Sequence, residues 1–260
     1  MPVARLLLPS SFRNLLRTFL ILCLLAGGLQ AANLTTTNVQ PGGADWTAAI
    51  WKTNGIGKAV SPVAGNTYEC VANGIPFGAN KSNTRIRNPT VAGVTAFPGD
   101  WLRLNTNTEL RIKQATGGGP MLSFPGVSGN AGLVLNGGVL NVGDDTIFAI
   151  TGRIQVASQS YLCPADGGGG AVKPLRGLKI AGQLTGSGTM VIFQAGTTVA
   201  QEIAGASNTF SGKWILKAGW LLASGLNSLG TNSIIVDPNY ELDLDPSIDA
   251  VAGPALFEPA

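Results

Sequence analysis

The residues best placed to do chemistry are three carboxylates near the end of the sequence. Glu241, Asp243 and Asp245 alternate with leucines, so on a β-strand all three would project from the same face. Side chains on one face of a strand are about 7 Å apart, and their oxygens could bind calcium if a neighbouring strand supplied further ligands. The structural alternative is an outward-facing acidic strand that keeps a sheet edge soluble. Turn-forming prolines on either side, Pro238 and Pro246, favour that alternative, and we expect no other metal or cofactor site.

A second pair of acids belongs to the segment Gly143-Asp144-Asp145, which follows Arg111-Ile112-Lys113 in the chain. The two segments match short motifs of polygalacturonases, but in reversed order and without the histidine that completes the motif set. Neighbouring residues on a strand also point to opposite faces, so Asp144 and Asp145 are not placed as the acid and base that cleave a glycosidic bond. We therefore expect a solvated turn here and no catalytic residue.

The 260-residue chain contains no histidine at all. This excludes Ser-His-Asp and Cys-His catalysis and any histidine-ligated zinc site within the chain. A carboxylate-dependent polysaccharide lyase or hydrolase is the enzymatic alternative that remains.

Tryptophans offer a third kind of site, because exposed aromatic rings can stack on sugars whereas buried rings fill cores. Trp214 and Trp220 are candidates in the C-terminal part of the chain. Trp46 and Trp51 are better explained as a cap that covers the open first turn of a stack of strands. The glycine-rich run at 166–170 lacks the lysine and the strand–helix frame of a phosphate-binding loop, so it predicts a surface loop.

The first 31 residues have the organisation of a secretory signal peptide. Arg5, Arg13 and Arg17 precede an apolar run at 19–25, and small residues lead to Ala31. The apolar run is shorter than the roughly 20 residues that a membrane-spanning helix needs. We therefore predict export with cleavage after Ala31, and no membrane span in the mature chain.

Removal of the signal peptide also removes the net positive charge. The whole chain has 17 basic and 14 acidic residues, and loss of the three arginines leaves 14 of each. Without a basic surface, nucleic-acid binding is not expected. Cys70 and Cys163 remain in the exported chain, and an oxidising compartment would permit a disulfide between them. Two separate buried thiols explain these cysteines equally well.

Apolar residues alternate in short runs along the mature chain, and each run ends at Gly, Asn, Asp, Ser or Pro. This pattern is typical of strands between turns, and no long stretch has helical periodicity, so the fold class is all-β. The predicted strands lie at 101–104, 109–113, 121–124, 132–135, 138–142, 146–150, 153–156, 177–180, 189–193, 213–217, 233–236 and 241–245.

The same pattern favours a β-solenoid over the alternative, a β-sandwich. Short strands and small turns follow one another closely, as in stacked coils that bury their apolar faces only against neighbours. The chain also has 36 glycines and only 12% charged residues, which suits tight corners and an aliphatic interior.

Residues in the last third of the chain occur in a more specific order, given by the runs Ile180-Ala181-Gly182-Gln183-Leu184-Thr185-Gly186-Ser187-Gly188-Thr189-Met190, Asn208-Thr209-Phe210-Ser211-Gly212 and Asn227-Ser228-Leu229-Gly230. This order resembles the autotransporter-associated β-strand repeat, which opens on I-x-G-x-L-x-G-S-G-T-L, turns at N-T-Y/F-S-G and closes on a strand beginning N-S-L-G.

The resemblance implies a right-handed parallel β-helix, the passenger region of a large exported bacterial protein. The expected organisation is a signal peptide at 1–31, an N-terminal capping region at 33–97, and a β-solenoid at 98–260. Its repeat lies at about 180–245, and we expect coils to continue beyond the chain end. The expected function is a non-catalytic structural or adhesive region at the cell surface, associated with the outer membrane. Expected partners are surface glycans, other cells, or further coils of a longer passenger; the alternative function is binding or degradation of a polysaccharide.

Overall fold

The computed structural model describes residues 32–36, 44–72, 84–91, 93–113, 121–127, 129–143, 147–162, 177–192, 201–205, 207–217, 220–224, 227–231, 234–236 and 241–244. The chain divides into two compact units, Met1–Ala31 and Ala32–Ala260. The first unit, which contains the predicted signal peptide, lies outside the described residues. In the described part of the second unit every regular element is a β-strand, which confirms the all-β prediction. No helix within those ranges is long and apolar enough to cross a membrane.

The strands form one 14-stranded and one 8-stranded sheet. The 8-stranded sheet contains β2 (Ala44–Asp45), β6 (Thr84–Arg87), β9 (Thr108–Ile112), β12 (Val139–Val142), β14 (Ser160–Leu162), β17 (Thr189–Ile192), β19 (Lys213–Leu216) and β21 (Ile234–Val236). The 14-stranded sheet contains β1 (Asn33–Thr36), β3 (Trp51–Thr53), β4 (Ile56–Val60), β5 (Thr67–Cys70), β7 (Val94–Ala96), β8 (Trp101–Asn105), β10 (Met121–Phe124), β11 (Leu133–Asn136), β13 (Ile147–Val156), β15 (Gly177–Ile180), β16 (Gln183–Gly186), β18 (Gln201–Ile203), β20 (Trp220–Ala223) and β22 (Glu241–Leu244).

Pairing is parallel except for the short hairpin β3–β4 and its contact with β1. We call the strands β1, β5, β8, β11, the second half of β13, and β16 row 1, because they pair in that order. The 8-stranded sheet is row 2. Row 3 consists of β7, β10, the first half of β13, β15, β18, β20 and β22.

The chain visits these rows in a fixed order. From β5 to β18 it passes through row 1, then row 2, then row 3, and starts again; we call each such passage a coil. The last described strands, β19 to β22, belong alternately to rows 2 and 3. This regular path of mostly parallel strands is compatible with a β-solenoid. It does not fit a β-sandwich, which is built from antiparallel sheets.

Aliphatic side chains on one face of each row form the core. Alternation puts every second residue on this face, and parallel register places equivalent residues of successive coils next to one another. The buried stacks are Leu34, Tyr68, Leu102, Leu133, Ile154 and Leu184 in row 1, Ile86, Leu110, Leu140, Leu162, Ile192 and Leu216 in row 2, and Leu122, Ile150, Ile180 and Ile203 in row 3. Burial of each of these side chains contributes about 1.5–3 kcal/mol to the stability of the fold. Because adjacent coils provide much of this burial, each coil depends on its neighbours for stability.

The strands predicted from residue 101 onward are present, with ends that differ by one or two residues. One prediction is wrong in detail: the two strands expected at 146–150 and 153–156 are the single strand β13, which pairs in row 3 with its first half and in row 1 with its second half. The bend at Gly152, whose φ is 93°, allows one strand to serve both rows. Parallel pairing also crosses the predicted boundary at residue 97, since β5 and β6 pair with β8 and β9.

A β-hairpin and an aromatic cluster occupy the N-terminal end of the described coils. Strands β3 and β4 are joined at Asn54 and Gly55, both with positive φ (49° and 73°), as in the tight turns that favour Asn-Gly. Trp51 in β3 is buried and donates its indole N–H to the carbonyl oxygen of Trp46 at 2.9 Å. The ring of Trp51 meets Tyr68 edge-on, with 5.0 Å between centroids. Trp46 is fully buried as well, so both tryptophans are core residues at this end of the described coils.

Glycines allow close contact between coils at the corners. A Cβ atom at Gly182 would overlap the carbonyl oxygen of Gly152, one at Gly205 would overlap that of Gly182, and one at Gly212 would overlap that of Gly188. These contacts give a physical reason for the high glycine content of the sequence. Asn208 joins three coils at another corner: its Oδ1 accepts the Leu184 N–H at 2.6 Å, and its Nδ2 donates to the Ser228 carbonyl.

Candidate functional site

The calcium candidates lie at the last described strand, β22. Its register places Glu241 opposite Trp220 and Asp243 opposite Leu222 of β20, so the adjacent strand presents no oxygen-bearing side chain at those two positions. Asp245, as well as the side chains of Glu241 and Asp243, lies outside the described residues. Among the side chains that are described, no group of three acids or cysteines is close enough to hold a metal ion. Calcium binding here stays a prediction.

In the structure, Gly143 lies close to the segment Arg111-Ile112-Lys113. The Gly143 N–H donates to the Ile112 carbonyl at 2.7 Å, so Gly143 lies beside the strand that carries Arg111. A Cβ atom at Gly143 would come within 2.6 Å of Arg111 Nε and 2.9 Å of Lys113 Cδ. The acids that follow, Asp144 and Asp145, lie outside the described residues. Proximity of these segments was not predictable from their distance along the chain.

A buried charged cluster lies on the outer face of row 2. Arg85 Nη2 donates to Glu109 Oε2 at 2.8 Å, and Asn141 Nδ2 donates to Glu109 Oε1 at 3.0 Å. Their three strands, β6, β9 and β12, are consecutive in row 2. Both oxygens of the Glu109 carboxylate are occupied, and the side chains of Arg85 and Glu109 are only 9% and 0% exposed. The arrangement suits a structural ion pair, because its carboxylate presents no exposed oxygen to a substrate.

A second carboxylate, Glu202, lies on the outer face of row 3. Its Oε1 accepts hydrogen bonds from Lys179 Nζ at 2.7 Å and from the Ser224 hydroxyl. The side chains of Lys179 and Glu202 are 38% and 22% exposed. Lys179 lies in β15, Glu202 in β18, and Ser224 directly follows β20, so the three side chains link successive coils.

Most described tryptophans are core residues. Trp46, Trp51 and Trp214 are fully buried, which rules out the sugar-stacking role considered for Trp214. Trp214 also donates its indole N–H to the Leu229 carbonyl at 2.9 Å. The side chain of Trp220 lies outside the described residues.

Trp101 is the tryptophan that the sequence analysis did not consider as a site. It lies in β8, where Leu102 and Leu104 are buried, so Trp101 and Arg103 project from the opposite, outer face and are half-buried. The Arg103 guanidinium lies 5.0 Å from the centroid of the Trp101 ring, within cation–π range. Alternation within the predicted strand 101–104 was a sufficient signal to place Trp101 outside.

Hydrogen-bonding side chains surround Trp101 on the outer face of row 1. Glu69 Oε1 accepts from Asn33 Nδ2 at 3.0 Å, and Glu69 Oε2 accepts from Asn105 Nδ2 at 3.1 Å. Asn136 Nδ2 donates to Asn105 Oδ1 at 2.8 Å, and Arg103 lies 4.0 Å from Glu69. We call this surface the polar face; its members are Asn33, Glu69, Trp101, Arg103, Asn105 and Asn136.

Cys70 is a buried cysteine in β5. Burial raises the pKa of this thiol, and a side-chain hydrogen bond with Thr36 opposes the rise. A thiol with a raised pKa stays protonated and is a poor nucleophile at neutral pH. Its expected disulfide partner, Cys163, lies outside the described residues, so the pairing stays a prediction.

No protein-family profile, curated protein or solved structure matches this chain. The resemblance to the autotransporter-associated repeat therefore rests on the residues of this sequence alone. Among the described clusters, the buried ion pair is suited to stability, whereas the polar face combines a half-exposed aromatic ring with donors and acceptors and is suited to binding.

Proposed function

We propose that this chain is a capped, right-handed parallel β-helix that serves as a non-catalytic structural or adhesive region of an exported bacterial protein. One observation carries the proposal: the chain visits three rows of parallel strands in a fixed order, in register, from β5 to β18. Such a stack provides length and a repetitive surface without requiring a closed catalytic pocket. The hairpin β3–β4, which carries Trp51, would form the N-terminal cap together with Trp46.

The residues that carry the repeat resemblance support this proposal through their contacts. Gly182, Gly205 and Gly212 lie where coils approach closely, and Asn208 bonds to the coil on either side. Phe210, from the same motif, is buried against Trp214 with 5.1 Å between ring centroids. Motif residues therefore coincide with positions at which a stack of coils needs them.

Three of the described carboxylates serve as links between coils. Glu69, Glu109 and Glu202 each accept hydrogen bonds from side chains of adjacent strands. A glycosidase instead needs two carboxyl groups that face each other across a scissile bond. The use of Glu69, Glu109 and Glu202 as links between coils is what a structural protein would require.

Export is tested by expressing the full chain in a bacterial host and measuring its mass outside the cytoplasm. We expect a protein that begins at Ala32, because the apolar run at 19–25 precedes small residues ending at Ala31. A Leu22→Arg variant places a charge in that run and should stay uncleaved in the cytoplasm. An unprocessed wild-type chain in the cytoplasm would contradict export.

The absence of catalysis is tested by incubating the exported protein with polygalacturonate, xylan and galactomannan, with and without calcium. We expect no new reducing ends and no unsaturated products. Product formation that disappears in a Glu241→Ala/Asp243→Ala/Asp245→Ala variant would instead establish the polysaccharide-degrading alternative.

A further inference from the structure

The polar face has a feature that a purely structural sheet does not need. Of the tryptophan side chains that the structure describes, Trp101 alone is not fully buried. A large ring on an outer sheet face exposes apolar surface to water, which is unfavourable. Contact with a ligand removes part of this surface from water and is therefore favourable. Trp101 is therefore the natural starting point for a binding site.

The groups around Trp101 indicate the class of ligand. Asn33, Asn105 and Asn136 are uncharged, and the charges of Glu69 and Arg103 offset each other across 4.0 Å. The six residues of the polar face therefore have no net charge, which favours a neutral ligand over a polyanion or a polycation. Amide, carboxylate and guanidinium groups are well suited to exchange hydrogen bonds with hydroxyl groups.

The dimensions of the polar face favour an extended ligand. Its residues lie on four consecutive strands of row 1, namely β1, β5, β8 and β11. Adjacent strands are about 4.8 Å apart, so the face extends for about 14 Å along the stack. Asn105 and Asn136 lie in register on adjacent strands, and Glu69 and Asn33 add polar groups on the next two strands, so an extended ligand could contact several of them at once.

A protein partner fits the polar face less well. Stable protein interfaces have an apolar centre, whereas Trp101 is surrounded here by polar and charged groups. The exposed apolar residues Val94, Met121 and Ile147 lie on row 3, and Ile56 and Val60 lie on β4, which β3 separates from the polar face.

We propose that the polar face binds a neutral, hydroxyl-rich polysaccharide, with one sugar ring stacked on Trp101 and neighbouring sugars hydrogen-bonded to Glu69, Arg103 and Asn136. The inference rests on the proposed function as an exported, non-catalytic protein, and it gives that function a ligand class. No bond is made or broken in the bound polysaccharide.

The test is native affinity electrophoresis of the exported protein in gels that contain hydroxyethylcellulose, xylan or galactomannan as neutral probes, or polygalacturonate as an anionic probe. We expect at least one neutral probe to retard the wild-type protein, and polygalacturonate to retard it less. Trp101→Ala should weaken the interaction at least about tenfold, as expected for a central aromatic contact. Arg103→Ala should weaken it less, because the variant loses one hydrogen-bonding group but keeps the Trp101 ring, over which the guanidinium lies 5.0 Å from the centroid.

Tyr161→Ala is the matched control, since Tyr161 is a half-buried aromatic on the outer face of row 2 and should not contribute. Trp101→Tyr keeps an aromatic ring and should recover part of the retardation, so it separates loss of stacking from loss of folding. Circular dichroism and thermal unfolding of each variant provide the folding check.

Three outcomes would overturn the inference: no retardation of the wild-type protein by any neutral probe, equal retardation of Trp101→Ala and wild type, or stronger retardation by polygalacturonate. These outcomes leave the proposed non-catalytic function intact. Conversely, turnover of a probe would overturn the non-catalytic function even if Trp101 proved to be the binding residue.

Discussion

Two ion pairs in this protein have nearly the same length but different surroundings, and they should differ greatly in their contribution to stability. The Arg85–Glu109 contact is 2.8 Å with side-chain exposures of 9% and 0%. The Lys179–Glu202 contact is 2.7 Å with exposures of 38% and 22%. Each pair links adjacent strands, β6 with β9 and β15 with β18, so the local geometry is matched and burial is the main variable.

The expected magnitudes follow from this difference in burial. At 2.8 Å and an effective dielectric constant of about 20, Coulomb attraction is about 6 kcal/mol before desolvation is counted. Glu109→Gln would leave the Arg85 charge buried without its partner, so we expect a loss of about 3–5 kcal/mol in the free energy of unfolding. Solvent screens the Lys179–Glu202 pair, and Glu202→Gln should cost only about 0.2–1 kcal/mol.

Two double-mutant cycles measure these quantities directly. One combines Glu109→Gln with Arg85→Met, and the other combines Glu202→Gln with Lys179→Met; glutamine keeps the acceptor for Asn141 or Ser224 in each case. The free energy of unfolding is obtained from urea titrations followed by tryptophan fluorescence, and the slopes with denaturant must agree within each cycle. Equal coupling energies in the two cycles would refute the argument that burial decides the strength of the pair. A Glu109→Gln variant as stable as wild type would refute it as well.

Three further perturbations test the packing of the coils. Gly212→Ala should destabilise the protein by about 1–3 kcal/mol in urea titrations, because the new Cβ would overlap the Gly188 carbonyl; an unchanged midpoint would show that the coils are not in close contact there. Trp51→Ala should cost about 3–5 kcal/mol since this ring is fully buried, whereas Trp101→Ala should cost clearly less, and equal losses would contradict the assigned burial. The raised pKa of the Cys70 thiol keeps this group protonated in the folded state, whereas the thiol of the unfolded chain ionises above about pH 8.5. The free energy of unfolding of the wild type should therefore fall relative to that of Cys70→Ala as the pH rises above this value. Parallel pH profiles of the two proteins would contradict this.

Inside and outside positions of the strands could be read from the sequence because a strand alternates its side chains between two faces. In β8, the pattern that buries Leu102 and Leu104 also exposes Trp101 and Arg103. The same alternation identifies Trp101 as a tryptophan on the outer face of its strand. It would not have found Glu69 or Asn105 as its neighbours, because they come from different coils.

The N-terminal region shows what the sequence analysis missed although the signal was present. Asn54-Gly55 between two short apolar runs is a strong indicator of a hairpin. The structure buries Trp46 and Trp51, and the antiparallel strands β3 and β4, the first of which carries Trp51, were not predicted.

By itself the sequence determined that this protein is all-β, that its strands are short, and which residues of most strands face the core, because these properties depend on neighbours within a few positions. Only the tertiary structure showed that Glu109 lies beside Arg85, Glu69 beside Asn105, and Asn208 beside Ser228. These pairs are separated by 24, 36 and 20 residues, so the coils differ in length. Where loop lengths vary in this way, register is set by the fit of apolar stacks and glycine corners between coils, and no fixed repeat in the sequence specifies it.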